Sequence, residues 1–278
     1  MQKTKLTFAL NELFSNLEFK KMKRPISIIL LLVCSIIILA AESKACELKV
    51  GWEPWPPFQF ENSNGVLNGL DIELLNILFD HMQCKPLFFR IRWTAHLERI
   101  KNGTMDLAAS ASWSEERAQY AYFSKSYRTE EVGLFIRKGE SKKYPFKSLE
   151  DIIGSEFTLG ATEGYYYGDL FEQLVKTGRL SKNVKFVEDT SYNFHKLAAN
   201  RIDGFLMDHI AAIHMKKEID PPPEVERHAM EIYSCNIYIM FSKKSVSPET
   251  VDLFNLKLAE IRKEGIHAQI MKKYIDLE

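Results

Sequence analysis

The sequence predicts an α/β protein in two lobes, each a mixed, mostly parallel sheet flanked by helices, joined by a two-strand hinge. Three observations predict it. From residue 46 onward, short apolar strands alternate with amphipathic helices. The polar segment Lys138-Gly139-Glu140-Ser141-Lys142-Lys143 interrupts the alternation, which then restarts. An apolar strand near residue 239 and two closing helices then lead the chain back.

Residues 48–52 read as the first strand. A helix follows over 70–82, with apolar residues at 70, 74, 75, 78, 79 and 82 and the acids Asp71 and Glu73 in its first turn, where they complement the helix dipole. Residues 87–92 form a strand and 95–101 a helix that Asn102-Gly103 stops. Short strands follow at 107–109 and 132–136. Beyond the polar segment, Ser148 opens a helix as a capping residue. Strands at 158–161, 184–187 and 204–207 then alternate with helices at 168–176 and 192–199. Pro221-Pro222-Pro223 marks a surface turn. A strand at 237–241 and helices at 248–263 and 266–274 close the chain. Residues 46–137 therefore begin lobe 1, residues 138–238 form lobe 2, and residues 239–278 return to lobe 1. The hinge crossings are expected near 137–142 and 239–244, with a ligand in the cleft between the lobes.

The first 45 residues read as a targeting segment. Lys20-Lys21-Met22-Lys23-Arg24 precedes the apolar run 26–41, and Ser43-Lys44-Ala45 offers small residues to a signal peptidase. The run is short of the ~20 residues of a bilayer span. Cleavage is expected before Cys46, and Met22 is an alternative start. Lys44 and the lack of an apolar residue before Cys46 argue against a lipid anchor.

The segment holds seven basic and three acidic residues, leaving 30 basic and 34 acidic in a mildly acidic body. Nucleic acid is excluded as a partner, because no basic face is present. Export permits disulfides. Cys46 and Cys84 each sit just before a strand. If those strands are parallel neighbours, both sulfurs lie at one sheet edge, and a Cys46–Cys84 bond is expected. Cys235 lies in an apolar run and reads as a buried free thiol. No metal or cofactor is expected: His209 and His214 are five apart, off one helix face.

Two segments carry the chemistry. The apolar strand after Asn102-Gly103 runs into Ser110, Ser112 and Ser114 and ends at Arg117. The strand after Asn200-Arg201-Ile202-Asp203-Gly204 ends at Asp208. Facing each other across a cleft, a guanidinium and a carboxylate would hold the two ends of a zwitterion, which points to a free amino acid. Taken alone, Arg117 reads as an exposed helix arginine, whereas Asp208 reads as a ligand contact ahead of an ordinary helix N-cap, two roles that are compatible.

Eight stretches in order extend this reading. They are Leu48-Lys49-Val50-Gly51-Trp52-Glu53-Pro54-Trp55-Pro56-Pro57-Phe58; Gly69-Leu70-Asp71-Ile72-Glu73-Leu74; Gly103-x-x-Asp106; Ser114-Glu115-Glu116-Arg117; Phe123-Ser124 with Tyr127; Leu159-Gly160-x-x-x-Gly164; Ile202-Asp203-Gly204 with Asp208; and Glu264-Gly265-Ile266 onward to Tyr274. Together they resemble the type 2 periplasmic solute-binding proteins of the polar amino-acid transporter family, over residues 46–276. The resemblance implies a type II periplasmic-binding-protein-like fold. It also implies a periplasmic monomer that closes on a polar amino acid and passes it to an ABC permease, a transient partner.

Residue by residue, the resemblance implies that Arg117 grips the α-carboxylate, a bidentate and charge-assisted pair, with help from Ser112 and from the N–H groups of the Ser114 helix. It gives the Ser110 carbonyl and Asp208 to the ammonium, and a backbone N–H of Tyr166 to the carboxylate. Trp55 and Trp93 enclose the side chain, and Glu53 accepts a side-chain ammonium. Glu163 and Trp113 depart from the family pattern, Glu163 adding negative charge at the rim. Two other readings share the scaffold. One is a cyclohexadienyl-dehydratase-like enzyme with Glu163 as acid, although no nucleophile–base motif is present. The other is a sensory co-receptor without transport.

Overall fold

The computed structural model describes residues 46–219 and 221–275. The expected signal and its cleavage before Cys46 lie outside the described residues. Among those described, no helix is long and apolar enough to cross a membrane.

The chain opens with β1 (Cys46–Trp52), the small hairpin β2 (Phe60–Glu61) and β3 (Leu67–Asn68), and helix α1 (Leu70–His81). Next come β4 (Cys84–Arg90), α2 (Trp93–Asn102), β5 (Leu107–Ser112), α3 (Glu115–Tyr120) and β6 (Ala121–Phe123). After β7 (Arg128–Arg137) lie two 3₁₀ turns, Ser141–Lys143 and Leu149–Ile152, where a helix was expected. Then follow β8 (Leu159–Thr162), α4 (Asp169–Lys176), β9 (Val184–Val187), α5 (Ser191–Ala198), β10 (Gly204–Asp208) and α6 (His209–Glu218). The chain closes with β11 (Val225–Ser242), α7 (Pro248–Lys263) and α8 (Ile266–Ile275).

The strands run in the order β4-β1-β5-β11-β7-β10-β8-β9, with β6 against β11. Parallel pairs β1–β4, β1–β5, β8–β9 and β8–β10 build the two lobes, and antiparallel β7 and β11 join them. The C-terminal end of β11 pairs with β5 and β6 in the first lobe. The C-terminal half of β7 pairs with β10 in the second.

The crossings therefore lie inside β7 and β11, ahead of the expected positions near 137–142 and 239–244. Val132 to Ile136 is already bonded to the second lobe, and Met240 to Ser242 is back in the first. The sequence hid this because the outer half of β11 has one wet face. His228 and Met230 are buried while Arg227, Ala229 and Glu231 are exposed, a period-two pattern rich in charge that resembles loop.

Helix α1 buries Leu70, Ile72, Leu74, Leu75, Leu78 and Phe79 against the first-lobe sheet and α7, where Phe79 meets Phe254 at 6.2 Å. At about 1.5–3 kcal/mol for each large apolar side chain buried, this face is a substantial part of the lobe's core. Gly69 makes the entry possible: its φ is +123°, and a Cβ there would lie 2.3 Å from the Phe58 carbonyl oxygen. In the second lobe α4 turns Phe171 and Leu174 onto Leu134, Leu159, Ala161 and Leu206.

Cys46 and Cys84 are register partners on β1 and β4, with Cα atoms 4.5 Å apart, and they are bonded. Cys235 is free but only half-buried, on β11 opposite Glu130. Burial, the larger cause, and the nearby Glu130 carboxylate push its thiol up to about 11.

Candidate functional site

The lining of the site begins where β5 ends. Ser110 has φ +54°, a left-handed backbone that a non-glycine residue adopts only when its surroundings hold it there. Here they do. Its N–H donates to the Tyr127 hydroxyl at 3.1 Å. Its Oγ donates to Asp71 Oδ2 at 2.6 Å and accepts from Arg128 Nη2 at 2.9 Å. Asp71 also accepts from Gln59 Nε2 at 3.1 Å and from the Tyr127 hydroxyl at 2.6 Å. Asp71 is thus no simple first-turn acid. It is fully buried beneath the site and has three donors, and burial, the largest effect, raises its pKa against the opposing pull of Arg128. The signal was present in the sequence, since Asp71 falls on the same helix face as Leu75 and Leu78.

Two residues past β5, Ser114 caps α3 by accepting the Arg117 N–H at 3.2 Å. The Arg117 side chain is buried, not exposed. Its Nη1 donates to the Ser112 carbonyl at 2.8 Å and its Nη2 to the Gly164 carbonyl of the second lobe at 2.9 Å. Its guanidinium carbon lies 5.4 Å from the Trp93 ring. From the other lobe, Asp208 ends β10 and caps α6, accepting the Ala211 N–H at 2.7 Å. It too is buried, and burial raises its pKa while Arg128 opposes.

One cavity between the lobes is lined by Glu53, Trp55, Trp93, Ser110, Ser112, Arg117, Tyr166 and Asp208. The structure therefore brings together every expected site residue except Glu163. That residue is exposed and absent from the lining, because β8 ends at Thr162 and Gly164, with φ +74°, turns the chain inward only after it. Trp113 is likewise half-exposed and outside the lining.

Three side chains around the cavity take partners within the protein. Both oxygens of Glu53 are engaged, Oε2 by the Trp93 N–H at 2.9 Å and Oε1 by the Tyr165 hydroxyl at 2.8 Å. The Tyr166 hydroxyl donates to Asp169, and its ring meets Tyr233 edge-on at 5.5 Å. Tyr165, its neighbour, reaches across the cleft instead. The run Tyr165-Tyr166-Tyr167 gave no means of telling which ring faces which way.

Glu130 was missed altogether. It lines the cavity from β7, two residues before Val132, where the β7–β10 pairing begins, and the sequence places the start of the strand only at 132. Burial, and then the Asp208 carboxylate, push its carboxyl up to about 8, against the pull of Arg128 and Arg117. His96 also lines the cavity. Its Nε2 donates to the Leu107 carbonyl at 3.1 Å, and burial holds it down to about 4, so it adds no positive charge at neutral pH. The lining thus offers one guanidinium and the carboxyls of Glu53, Glu130 and Asp208, which suits a small dipolar guest. Among the described residues, no group of three or more His, Cys, Asp and Glu is placed to hold a metal ion.

The family model for bacterial extracellular solute-binding proteins, family 3, matches residues 48–277. The chain is 22% identical over 229 residues to an L-cystine-binding protein of Escherichia coli (strain K12), covering 82% of each. It resembles the solved structure of an ancestral arginine-binding protein bound to arginine, with TM-score 0.70 and 28% identity over 82% of this chain and 98% of that one. It also has the fold of a histidine kinase sensor domain similar to periplasmic binding proteins, with TM-score 0.72 and 22% identity over 83% of this chain and 96% of that one.

Proposed function

Because the chain belongs to the bacterial extracellular solute-binding proteins of family 3, we propose that it is a periplasmic receptor that captures a polar amino acid by hinge closure and delivers it to an ABC permease. The observation that carries this reading is the placement of Arg117 and Asp208 on one cavity. A buried guanidinium from one lobe and a buried carboxylate from the other line a single cavity. Buried charges of opposite sign in one small space suit a guest that carries both.

In this reading Arg117 takes the α-carboxylate. Two of its five N–H groups are held by backbone carbonyls, and the rest are free to form a fork with two oxygens. Asp208 takes the ammonium with Glu130 beside it. Ser110 and Ser112 flank the pair, Trp55 and Trp93 wall the side-chain end, and Tyr166 lines the second-lobe side. A guest that touches both lobes binds the closed form better and shifts the population toward it, and the closed shape is what a permease would recognise. The relatives named above, a cystine-binding protein and an arginine-bound one, support an amino acid as the guest.

Binding without turnover is the reading we adopt. The dehydratase alternative relied on Glu163 as acid, and that side chain is exposed and outside the cavity. A thermal-shift screen of the mature protein with the twenty amino acids tests the proposal. At least one should raise the melting temperature in proportion to the logarithm of its concentration. No shift with any of them, and no heat in titration calorimetry, would sink it.

A further inference from the structure

Trp55 and Trp93 frame the side-chain end of the cavity, and Tyr165 stands between them. Its ring meets Trp55 edge-on at 5.3 Å and Trp93 edge-on at 6.4 Å. Its hydroxyl donates to Glu53 at 2.8 Å. Its backbone is held too, because the carbonyl of the preceding Gly164 accepts from Trp93 Nε1 and from Arg117 Nη2, each at 2.9 Å. The aromatic walls and the carboxylate at their end are thus occupied by a side chain of the protein itself.

We propose that Tyr165 sets the specificity of the site by filling the space between Trp55 and Trp93, so that the guest held by Arg117 and Asp208 is an amino acid with a small side chain, the size of alanine or serine. This rests on the amino-acid reading given above and narrows it. A guest with a long side chain must first move the ring. Moving it removes two edge-to-face contacts and leaves the half-buried Glu53 carboxylate without its phenol donor. Its apparent affinity falls by the fraction of molecules in which the ring has moved. A guest no larger than serine needs no such movement. The phenol and Glu53 hold each other in place. Burial, the larger effect on each, raises both pKa values, so the phenol stays protonated as donor.

The experiment is titration calorimetry of the wild type, Tyr165→Phe and Tyr165→Ala against glycine, alanine, serine, histidine, arginine and cystine. The wild type should bind alanine or serine at least ~10-fold more tightly than histidine, arginine or cystine. Tyr165→Phe keeps the ring and should keep that order. Tyr165→Ala should gain ~10-fold or more for the large guests. A wild type that prefers any large guest to alanine and serine overturns the proposal while leaving the amino-acid reading intact. So does a Tyr165→Ala protein whose order of preference is unchanged. If no amino acid binds any of the three proteins, the amino-acid reading itself fails. The wild-type and Tyr165→Phe measurements decide the matter even if Tyr165→Ala does not fold.

Discussion

Arg117 and Gly164 are joined across the cleft: Nη2 of the first donates to the carbonyl of the second at 2.9 Å, while Nη1 holds the Ser112 carbonyl at 2.8 Å. The guanidinium is oriented by both lobes, which lowers the entropy lost when it forms a fork with a carboxylate. Arg117→Ala should therefore weaken amino-acid binding by about 2–4 kcal/mol, largely by leaving a buried carboxylate unpaired. Arg117→Lys should fall between, because a point charge replaces a planar fork. Calorimetric titration of both variants checks this, and unchanged affinity in Arg117→Ala would remove the residue from the site.

Asp208 serves two purposes that mutation can separate. As a cap it accepts the Ala211 N–H at 2.7 Å. Asp208→Asn keeps an oxygen for that bond and should leave the urea midpoint nearly unchanged while weakening binding. Asp208→Ala should lose affinity and also about 1 kcal/mol of stability. Equal stability loss in the two variants would contradict the division.

The floor of the site is an independent target. Asp71 binds Gln59, Ser110 and Tyr127 and lies close to Arg128. Asp71→Ala leaves three buried donors and a buried cation short of their acceptor, and should cost about 3–5 kcal/mol. Tyr127→Phe removes one bond to each of Asp71 and Ser110 and should cost about 1–2 kcal/mol. Urea denaturation of both variants measures the difference.

What the sequence disclosed and what it hid divide along one line. Local chemistry was legible: the strand that leads through Ser112 into the Arg117 helix, the strand ending at Asp208, and the sheet edge where Cys46 meets Cys84. Each depends on residues close in sequence or on a simple parallel pairing. Positions that depend on where the hinge strands cross were not legible. Glu130 reaches the cavity because β7 begins at Arg128, and the polar run Arg128-Thr129-Glu130-Glu131 resembles loop until its partner on β11, Ser234 to Ile237, is known. Tyr165 faces Glu53 because Gly164 turns the chain at φ +74°, a conformation that a sequence of three tyrosines does not reveal.

The Cys46–Cys84 bond closes a loop of 38 residues between the two leading strands of the first lobe. On the chain-entropy account it adds roughly 3–4 kcal/mol by restricting the unfolded chain. Reduction, or a Cys46→Ser/Cys84→Ser double variant, should lower the urea midpoint accordingly. Amino-acid affinity should change little, because neither cysteine lines the cavity. A reduced protein with the same midpoint would contradict the account.

Glu130 should make stability depend on pH. Burial, and then Asp208, raise its carboxyl from 4.5 to about 8 in the folded chain. Between those values the folded state keeps a proton that the unfolded state has released. The unfolded chain then binds fewer protons, so stability falls as pH rises. The contribution is complete below about 4.5 and lost once the pH passes about 8. Asp208 is displaced in the same direction by burial, so the two carboxyls act together. Glu130→Gln is permanently neutral and should gain stability relative to the wild type as the pH climbs from 5 to 8.5, read as the difference in urea midpoint. A constant difference across that range would mean that Glu130 titrates as an ordinary carboxyl. A guest ammonium placed against the pair would favour the ionised form, so binding at pH 7 should release a proton. Calorimetry in buffers of different ionisation enthalpy would detect this as a buffer-dependent heat, and that dependence should be absent in Glu130→Gln.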